Sequence, residues 1–228
     1  PPYQAEVTVL PMTVTFGTEE FQDGVNLNHR QFYEKLIEGE DLPTTSQISP
    51  SRFEDAFRVA VEAGERVVAV VLSARLSGTY QSACIAAEEF PGQVFVVDSA
   101  NATIGELILV ERALELLDQG LDASAIAAGL EEEKADIRLV ALLDTLEYLK
   151  RGGRITPAAA AMGTILQLKP LLKIEGERLD AFAKVRGRKA SVNALLEKMD
   201  ELVDDPSVVF ISHGDCFDEV HALGEAIK

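Results

Sequence analysis

The segment RVVAVVLSARLSGTY, which runs from Arg66 to Tyr80, decides the fold class. Its first half, Arg66–Leu72, is a continuous run rich in β-branched residues, which is typical of a strand buried on both faces. Its second half is a loop of small polar residues that leads into a helix. A second buried strand at Val94–Val97 repeats this pattern further along the chain. Alternating buried strands, loops and helices predict a parallel sheet with helices on both of its faces.

Apolar periodicity, turn residues and capping residues predict further elements on both sides of this segment. On its N-terminal side they are a strand at Val7–Val14, a turn at Phe16–Gly24, a helix at Asn28–Gly39 capped by Asn28, a polar loop at Thr44–Pro50 and a helix from Pro50 to Gly64. On its C-terminal side they are helices at Tyr80–Phe90, Thr103–Gln119 and Ala123–Asp136.

The pattern changes after Asp136. The elements predicted there are a strand at Ile137–Leu143, a short helix at Thr145–Lys150, an alanine-rich helix at Pro157–Leu168, an antiparallel hairpin of Pro170–Ile174 with Arg178–Val185, a helix at Lys189–Val203, a strand at Val208–Ile211 and a helix after Asp215. We therefore expect an α/β fold in two domains. Residues 1–136 form the parallel-sheet domain, and residues 137–228 form a smaller mixed α/β domain with a basic hairpin.

The composition is that of a globular protein. The chain has 228 residues, of which 47% are hydrophobic and 26% charged, and its formal net charge is −17. No apolar run approaches the roughly 20 residues that a membrane-spanning helix needs. Cys84 and Cys216 lack metal-ligand spacing, so we expect reduced cytoplasmic thiols and no metal site. Because the sequence starts at Pro1 without a methionine, we expect the native start to lie elsewhere.

Basic residues are concentrated in one part of this acidic chain. Lys150–Ser191 contains ten basic residues against three acidic ones, which gives the stretch a net charge of +7 and leaves −24 for the remainder. A uniformly acidic surface repels nucleic acid, whereas a local basic patch can bind an anionic group or an acidic partner. The alternative is a solvated basic hairpin with no partner.

Three loops carry small hydroxyl residues near the carboxyl edge of the predicted sheet: Thr44–Ser46, Ser73–Thr79 and Asp98-Ser99. In open parallel sheets, ligands bind in the crevice outside the carboxyl ends of the strands. Asp98 either orients Ser99 or caps the turn that follows. The clustering of these loops predicts a binding site at this edge.

The start of the helix after Ser77-Gly78-Thr79 is suited to an anion. Its first N–H groups have no partner within the helix and carry a partial positive charge, and Gly78 lets a ligand approach the backbone closely. Such an end binds carboxylate or phosphate. The alternative is that Ser77 and Thr79 only cap the helix, and that Thr45 and Ser46 only close a turn.

The segment Lys150–Ile155 contains two glycines flanked by arginines. The guanidinium of Arg154 can make two parallel hydrogen bonds to a bound anion. The alternative is a helix C-terminus with Gly152 as its left-handed cap, and both interpretations can hold together. His213, in a Gly-Asp turn, either joins a ligand network or is a structural residue.

The sequence has no G-x-S-x-G elbow, no Walker-type phosphate loop and no H-E-x-x-H helix. A serine nucleophile needs an activating base, so hydroxyl groups without one indicate that the site binds a ligand and does not react with it. Two alternatives stay open. One is a serine-dependent hydrolase or acyltransferase with Ser77 or Ser99 as nucleophile, and the other is a phosphometabolite-binding module that uses the helix start and the basic stretch.

Several segments resemble the DegV family of fatty acid-binding proteins, in the expected order and over nearly the whole chain. The most specific are SGTYQSA at Ser77–Ala83 and LEYLKRGGRI at Leu146–Ile155. The others are Leu10-Pro11-Met12, Asp23-Gly24, Thr45-Ser46-Gln47, Asp98-Ser99, Asp144-Thr145, Lys169-Pro170 and Arg186-Gly187.

This resemblance implies a carrier without enzymatic activity or cofactor, in which a long-chain fatty acid lies in a tunnel between two α/β domains. The family assigns the carboxylate to positions that match Thr45 and Ser77. The family arginine that matches Arg154 lies near the headgroup. With the neighbouring loop residues, the expected ligand-binding set is Thr45, Ser46, Ser77, Gly78, Thr79 and Arg154. Arg186 is implied to engage a fatty acid kinase, which makes an acyl phosphate for phospholipid synthesis.

The resemblance also implies two segments that the sequence does not contain. One is a preceding strand that ends in Asp-Ser, and the other is an H-T-G-P-G segment whose histidine joins the headgroup network. The expectation is either a truncated sequence or a divergent member, with an incomplete headgroup site.

Overall fold

A computed structural model describes residues 7–39, 42–155, 168–175, 178–203 and 209–227. Within them the strands are β1 (Thr13–Phe16), β2 (Glu19–Gln22), β3 (Thr44–Ser46), β4 (Val67–Val71), β5 (Val94–Asp98), β6 (Leu139–Leu142), β7 (Leu168–Glu175) and β8 (Arg178–Arg186). The helices are α1 (His29–Glu38), α2 (Pro50–Glu62), α3 (Thr79–Ala87), α4 (Ile104–Asp118), α5 (Ala123–Glu133), α6 (Glu147–Arg151), α7 (Arg188–Leu202) and α8 (Phe217–Ile227).

The predicted parallel pairing of two buried strands is confirmed. β4 and β5 are parallel neighbours, with Val67 opposite Val94. One face of the pair packs on α2 and α3 through a core that includes Phe53 and Phe57. The other face packs on α4 and α5 around the fully buried Leu130. The fold is therefore mixed α/β, with helices on both faces of the parallel pair, because the valine-rich strands send apolar side chains to both sides.

Helix starts follow the capping residues of the sequence. Asn28 caps α1: its side chain accepts from the Gln31 N–H and its backbone N–H donates to the Gln31 side chain, which forms a capping box. Ser49 caps α2 and Pro50 occupies its first turn. Both predicted helix starts are confirmed. In the part of the chain that is described, no helix has the length and apolar content to cross a membrane.

An antiparallel sheet of order β2-β1-β3 precedes the parallel pair, and here the sequence predictions were wrong. The turn predicted at Phe16–Gly24 contains β2, and the loop predicted at Thr44–Pro50 begins with β3. The strand predicted at Val7–Val14 starts only at Thr13. β2 and β3 are polar edge strands that are held by hydrogen bonds to β1. They lack the alternation of apolar and polar residues by which a half-buried strand is predicted from sequence.

The segment after Asp136 forms a second antiparallel sheet, of order β6-β7-β8. The predicted hairpin is confirmed, with a register shift between Leu171 and Leu172. Leu146 and Ile155 pack around Leu172 on this sheet, and α7 also packs against it.

Two predictions in this segment have other outcomes. The helix predicted at Pro157–Leu168 lies outside the described residues, apart from Leu168, which belongs to β7. The strand predicted at Val208–Ile211 is not formed by the described residues 209–211. Ile211 instead lies beside Gly224 of α8, so its apolar side chain is covered by a helix and not by strand pairing.

Candidate functional site

Two buried hydroxyl groups lie at the start of α3, just after the carboxyl end of β4. Ser77 Oγ and Thr79 Oγ1 are hydrogen-bonded at 2.9 Å, and Ser77 Oγ also accepts from the Thr79 N–H at 3.3 Å. Thr79 is 1% exposed and Ser77 is 9% exposed. Gly78 occupies the N-cap position, so the N-cap residue itself has no side chain to cap the helix, and Ser77 Oγ accepts from the first helical N–H group instead. The start of α3 therefore presents hydroxyl groups and a positive helix end together.

Ser73 shapes the loop that leads to this helix. Its carbonyl accepts from the N–H groups of Leu76 and Ser77 at 2.9 and 3.1 Å, and its Oγ accepts from the Arg75 N–H at 3.2 Å. Ser73 is fully buried. These bonds fold the loop back on itself and bring Ser77 to the start of α3, one residue before its N-cap.

The loop after β5 is hydrogen-bonded to the loop that leads to α3. The Asp98 carboxylate accepts from the N–H groups of Ala74 and Ala100, the second at 2.9 Å. Ser99 Oγ donates to the Asn101 carbonyl at 3.1 Å and accepts from the Asn101 N–H at 3.2 Å. Asp98 therefore caps backbone and does not orient Ser99, which is fully buried and locked within its own turn.

Gln47 joins the third loop to α3, and sequence reasoning missed its role. Its Nε2 donates to the buried Ser82 Oγ at 3.0 Å, one turn into the helix. Its carboxamide also lies over Gly78, where any Cβ would collide with it. Two positions earlier, Thr45 lies exposed on β3 opposite Val14, and Ser46 lies opposite Thr13. The structure thus links the loop of Thr45 and Ser46 to α3 through Gln47.

Arg154 reaches the same loop from the other part of the chain. Its Nε donates to the Leu76 carbonyl at 3.0 Å, and its Nη1 donates to the Gly152 carbonyl at 2.6 Å. The left-handed residue at the end of α6 is Gly153, with φ +72°, and not Gly152, which the alternative interpretation of this segment named. The turn after α6 therefore holds the Arg154 guanidinium beside the loop that carries Ser77.

Asn101 and Glu106 are two further polar groups near this edge that the sequence pattern did not indicate. The Asn101 carbonyl accepts from the Ser73 N–H at 2.7 Å. Its side chain is buried against Gly105, and its Oδ1 has no hydrogen-bond partner among the described residues. Burial raises the pKa of the Glu106 carboxyl, in the first turn of α4, to about 7. Only the tertiary packing reveals these positions.

Arg186 and His213 lie elsewhere. Arg186 is the exposed last residue of β8, opposite Leu168, and no ion pair involves it in the described part of the chain. His213 Nδ1 accepts from the Cys216 N–H at 3.2 Å, as expected of a structural residue. An open cleft of about 580 Å³ separates its loop from α1.

Part of the predicted basic stretch is neutralised by acidic neighbours. Lys169 Nζ lies 2.6 Å from the Asp144 carboxylate, and Arg188 contacts both Asp144 and Glu219. The Lys169 ammonium holds the pKa of the Asp144 carboxyl below its usual range. Among the described residues, no group of three acidic, histidine or cysteine side chains is arranged to hold a metal ion.

Comparisons with known proteins agree with this architecture. The family model described as "Uncharacterised protein, DegV family" matches residues 3–228. A DegV domain-containing protein of Deinococcus radiodurans is 42% identical over 193 residues, which is 84% of this chain and 68% of the relative. One from Clostridium perfringens is 34% identical over 233 residues, which is 98% of this chain and 80% of the relative.

Two solved structures share the fold. A DegV family protein of Thermus thermophilus, described by its fatty acid binding, has a TM-score of 0.77 and 39% identity over 84% of this chain and 69% of its own. DegV of Bacillus subtilis, described as a fatty acid binding protein, has a TM-score of 0.82 and 28% identity over 96% of this chain and 79% of its own. Because the family model matches residues 3–228 and a DegV domain-containing relative is 42% identical, the chain belongs to the DegV family.

Proposed function

We propose that this chain binds a long-chain fatty acid and holds its carboxylate at the start of α3. The observation that carries the proposal is the pair of buried hydroxyls, Ser77 and Thr79, at a helix start whose N-cap residue, Gly78, has no side chain. Arg154 is hydrogen-bonded to the same loop. The Thermus thermophilus and Bacillus subtilis relatives, both described by fatty acid binding, support this class of ligand.

Each polar group has a distinct part in the proposed site. Hydroxyls of Thr45 and Ser77 donate to the carboxylate, and Arg154 supplies the compensating charge. Ser46 and Thr79 support the two loops, and Gly78 contributes its backbone at the helix start, with the Gln47 carboxamide in the space that a Cβ would fill. A carboxylate near a helix start is also stabilised by the helix dipole.

Affinity in this proposal comes mainly from the acyl chain. Burial of a C16–C18 chain contributes about 0.8 kcal/mol per CH₂, which exceeds roughly 10 kcal/mol before the entropic costs of binding. The polar groups then fix the orientation of the acid. We place the acyl chain in a tunnel between two domains, with the boundary near residue 136.

We further propose that the protein is a cytoplasmic carrier and not a hydrolase. Ser77 Oγ is hydrogen-bonded to Thr79 and not to a histidine, and Ser99 is locked in its turn. Neither arrangement supplies the base that a serine nucleophile needs. In this proposal a fatty acid kinase phosphorylates the exposed end of the bound carboxylate, and Arg186 contacts that kinase.

Extraction of the purified protein with organic solvent, followed by mass spectrometry, tests the ligand class. The expected result is one equivalent of a long-chain fatty acid. Recovery of a phosphorylated metabolite would instead identify a phosphate-binding module. Turnover of an ester substrate, or labelling of Ser77 or Ser99 by a fluorophosphonate, would identify a hydrolase.

A further inference from the structure

We propose that Gln47 is a positioning residue that sets the separation between the Thr45 and Ser77 hydroxyls. The inference rests on the proposed function, because those hydroxyls are its carboxylate donors. Gln47 itself need not touch the ligand. It acts by tying β3, which carries Thr45, to α3, whose start carries Ser77.

The backbone around Gln47 is fixed on both sides. Ser46 pairs with Thr13 in the antiparallel sheet, and Ile48 is buried in the core between α2 and α3. Ser49 then caps α2. Because the residues on both sides of Gln47 are held in this way, its hydrogen bond to Ser82 fixes the position of β3 relative to α3.

The contact on α3 is equally well defined. Ser82 is 1% exposed, and its Oγ accepts from Gln47 Nε2 at 3.0 Å. The carboxamide lies across Gly78 on its way to Ser82. A side chain at position 78 would displace it, so the absence of a Cβ at Gly78 makes room for this contact.

The geometry requires the length of glutamine. Alanine at position 47 cannot reach Ser82. Glutamate has the same length and can accept from the Ser82 hydroxyl, but it would bring a negative charge to the place where the carboxylate is proposed to bind. We therefore expect Gln47→Glu to weaken acid binding more than Gln47→Ala does.

If Gln47 positions the carboxylate donors, its loss has a consequence that would not follow if Gln47 only stabilised the fold. Loss of the Gln47–Ser82 bond disturbs only ligands that use the Thr45 and Ser77 hydroxyls as carboxylate donors. Palmitic acid is such a ligand, whereas hexadecanol has the same chain and no carboxylate. The ratio of the two affinities is therefore the informative quantity.

The experiment titrates the delipidated chain of 228 residues with palmitic acid and with hexadecanol, for wild type, Gln47→Ala, Ser82→Ala and the double variant. Each single variant is expected to bind the acid about three- to tenfold more weakly. The double variant should be no weaker than the singles, because both remove the same bond. Hexadecanol binding should stay within about twofold. Gln81→Ala, at an exposed position on the same helix, is the matched control and should leave both affinities unchanged.

The outcomes separate this inference from the proposed function. If wild type binds neither ligand, the proposed function fails. If wild type binds palmitic acid and Gln47→Ala binds it equally well, the positioning role is refuted. Equal losses for acid and alcohol would also refute it, because they indicate general damage to the fold.

Discussion

The Arg154 Nε donates a hydrogen bond of 3.0 Å to the carbonyl oxygen of Leu76, which lies 78 residues earlier in the chain. This bond connects the turn after α6 to the loop that presents Ser77. The Nη1 of the same guanidinium donates to the Gly152 carbonyl at 2.6 Å. One side chain thus joins the two parts of the chain and places a positive charge beside the loop that carries Ser77.

Replacement of Arg154 is expected to weaken the binding of fatty acid anions. Arg154→Ala removes a charge-assisted hydrogen bond and should cost about 1.5–3 kcal/mol of binding free energy. Arg154→Lys keeps the charge but loses the planar fork, so we expect an intermediate loss. Isothermal titration with palmitic acid measures both. Arg151→Ala, on the exposed face of α6, is the control, and an equal loss there would contradict the assignment.

Ser77→Ala is expected to affect both binding and stability. It removes a proposed carboxylate donor and leaves the buried Thr79 Oγ1 without its 2.9 Å partner. We expect about three- to tenfold weaker binding of palmitic acid and a loss of about 1 kcal/mol in the free energy of unfolding. Titration and urea unfolding measure the two effects. Ser124→Ala, at an exposed position of α5, should change neither, and unchanged acid binding in Ser77→Ala would remove Ser77 from the site.

The elements that sequence alone predicted are those with strong local signals. β4 and β5 are apolar on both faces, and α1 and α2 begin at Asn28 and Ser49, whose side chains cap them. β2 and β3 carry no such signal, because polar edge strands are specified by the neighbour to which they bind. Pairing with β1 is a long-range property that a local pattern does not contain.

The same distinction applies to the candidate site. Ser77 and Gly78 were predicted from their place between a buried strand and a helix, and Arg154 from its glycine-rich turn. Gln47 and Asn101 were not predicted, because their importance lies in contacts with Ser82 and Ser73. A glutamine in a polar loop has no distinguishing mark until the fold brings its partner close.

Gly105→Ala is expected to destabilise the protein, although alanine favours helices. A Cβ at this position in α4 would lie 2.5 Å from Asn101 Oδ1 and 2.8 Å from Asn101 Cβ. Because Asn101 is held by its backbone bonds, the strain should cost about 1–3 kcal/mol in the free energy of unfolding. Urea unfolding measures this loss.

A second helix glycine provides the control for this prediction. In α8, a Cβ at Gly224 meets, among the residues that the structure describes, only Ile211 Cδ1, at 3.7 Å. Gly224→Ala should therefore stabilise the protein by about 0.5–1 kcal/mol. If both substitutions stabilise, the close packing of Asn101 on α4 is wrong.

Glu106 is expected to make stability depend on pH. Burial raises the pKa of its carboxyl from 4.5 to about 7. Between these values the unfolded chain has lost the proton that the folded chain still holds, so the free energy of unfolding falls as pH rises from about 4.5 to 7. Glu106→Gln stays neutral and should be more stable than wild type by about 1–3 kcal/mol at pH 8.

Urea unfolding of wild type and Glu106→Gln at intervals from pH 4.5 to 8 tests this prediction. The difference between the two proteins should grow through this window and become constant above it. A difference that is independent of pH would mean that the Glu106 carboxyl does not titrate there.

Arg186→Glu is expected to impair phosphorylation of the bound acid without changing its affinity. Arg186 is exposed at the end of β8, outside the proposed carboxylate site, so palmitic acid should bind as it does to wild type. Charge reversal of an arginine at a protein interface should slow acyl phosphate formation about tenfold or more. ATP consumption by a purified bacterial fatty acid kinase, with the loaded protein as substrate, measures this rate. Arg66→Glu makes the same change at an exposed site outside the basic stretch, so an equal effect there would indicate general electrostatic attraction and not a contact at Arg186.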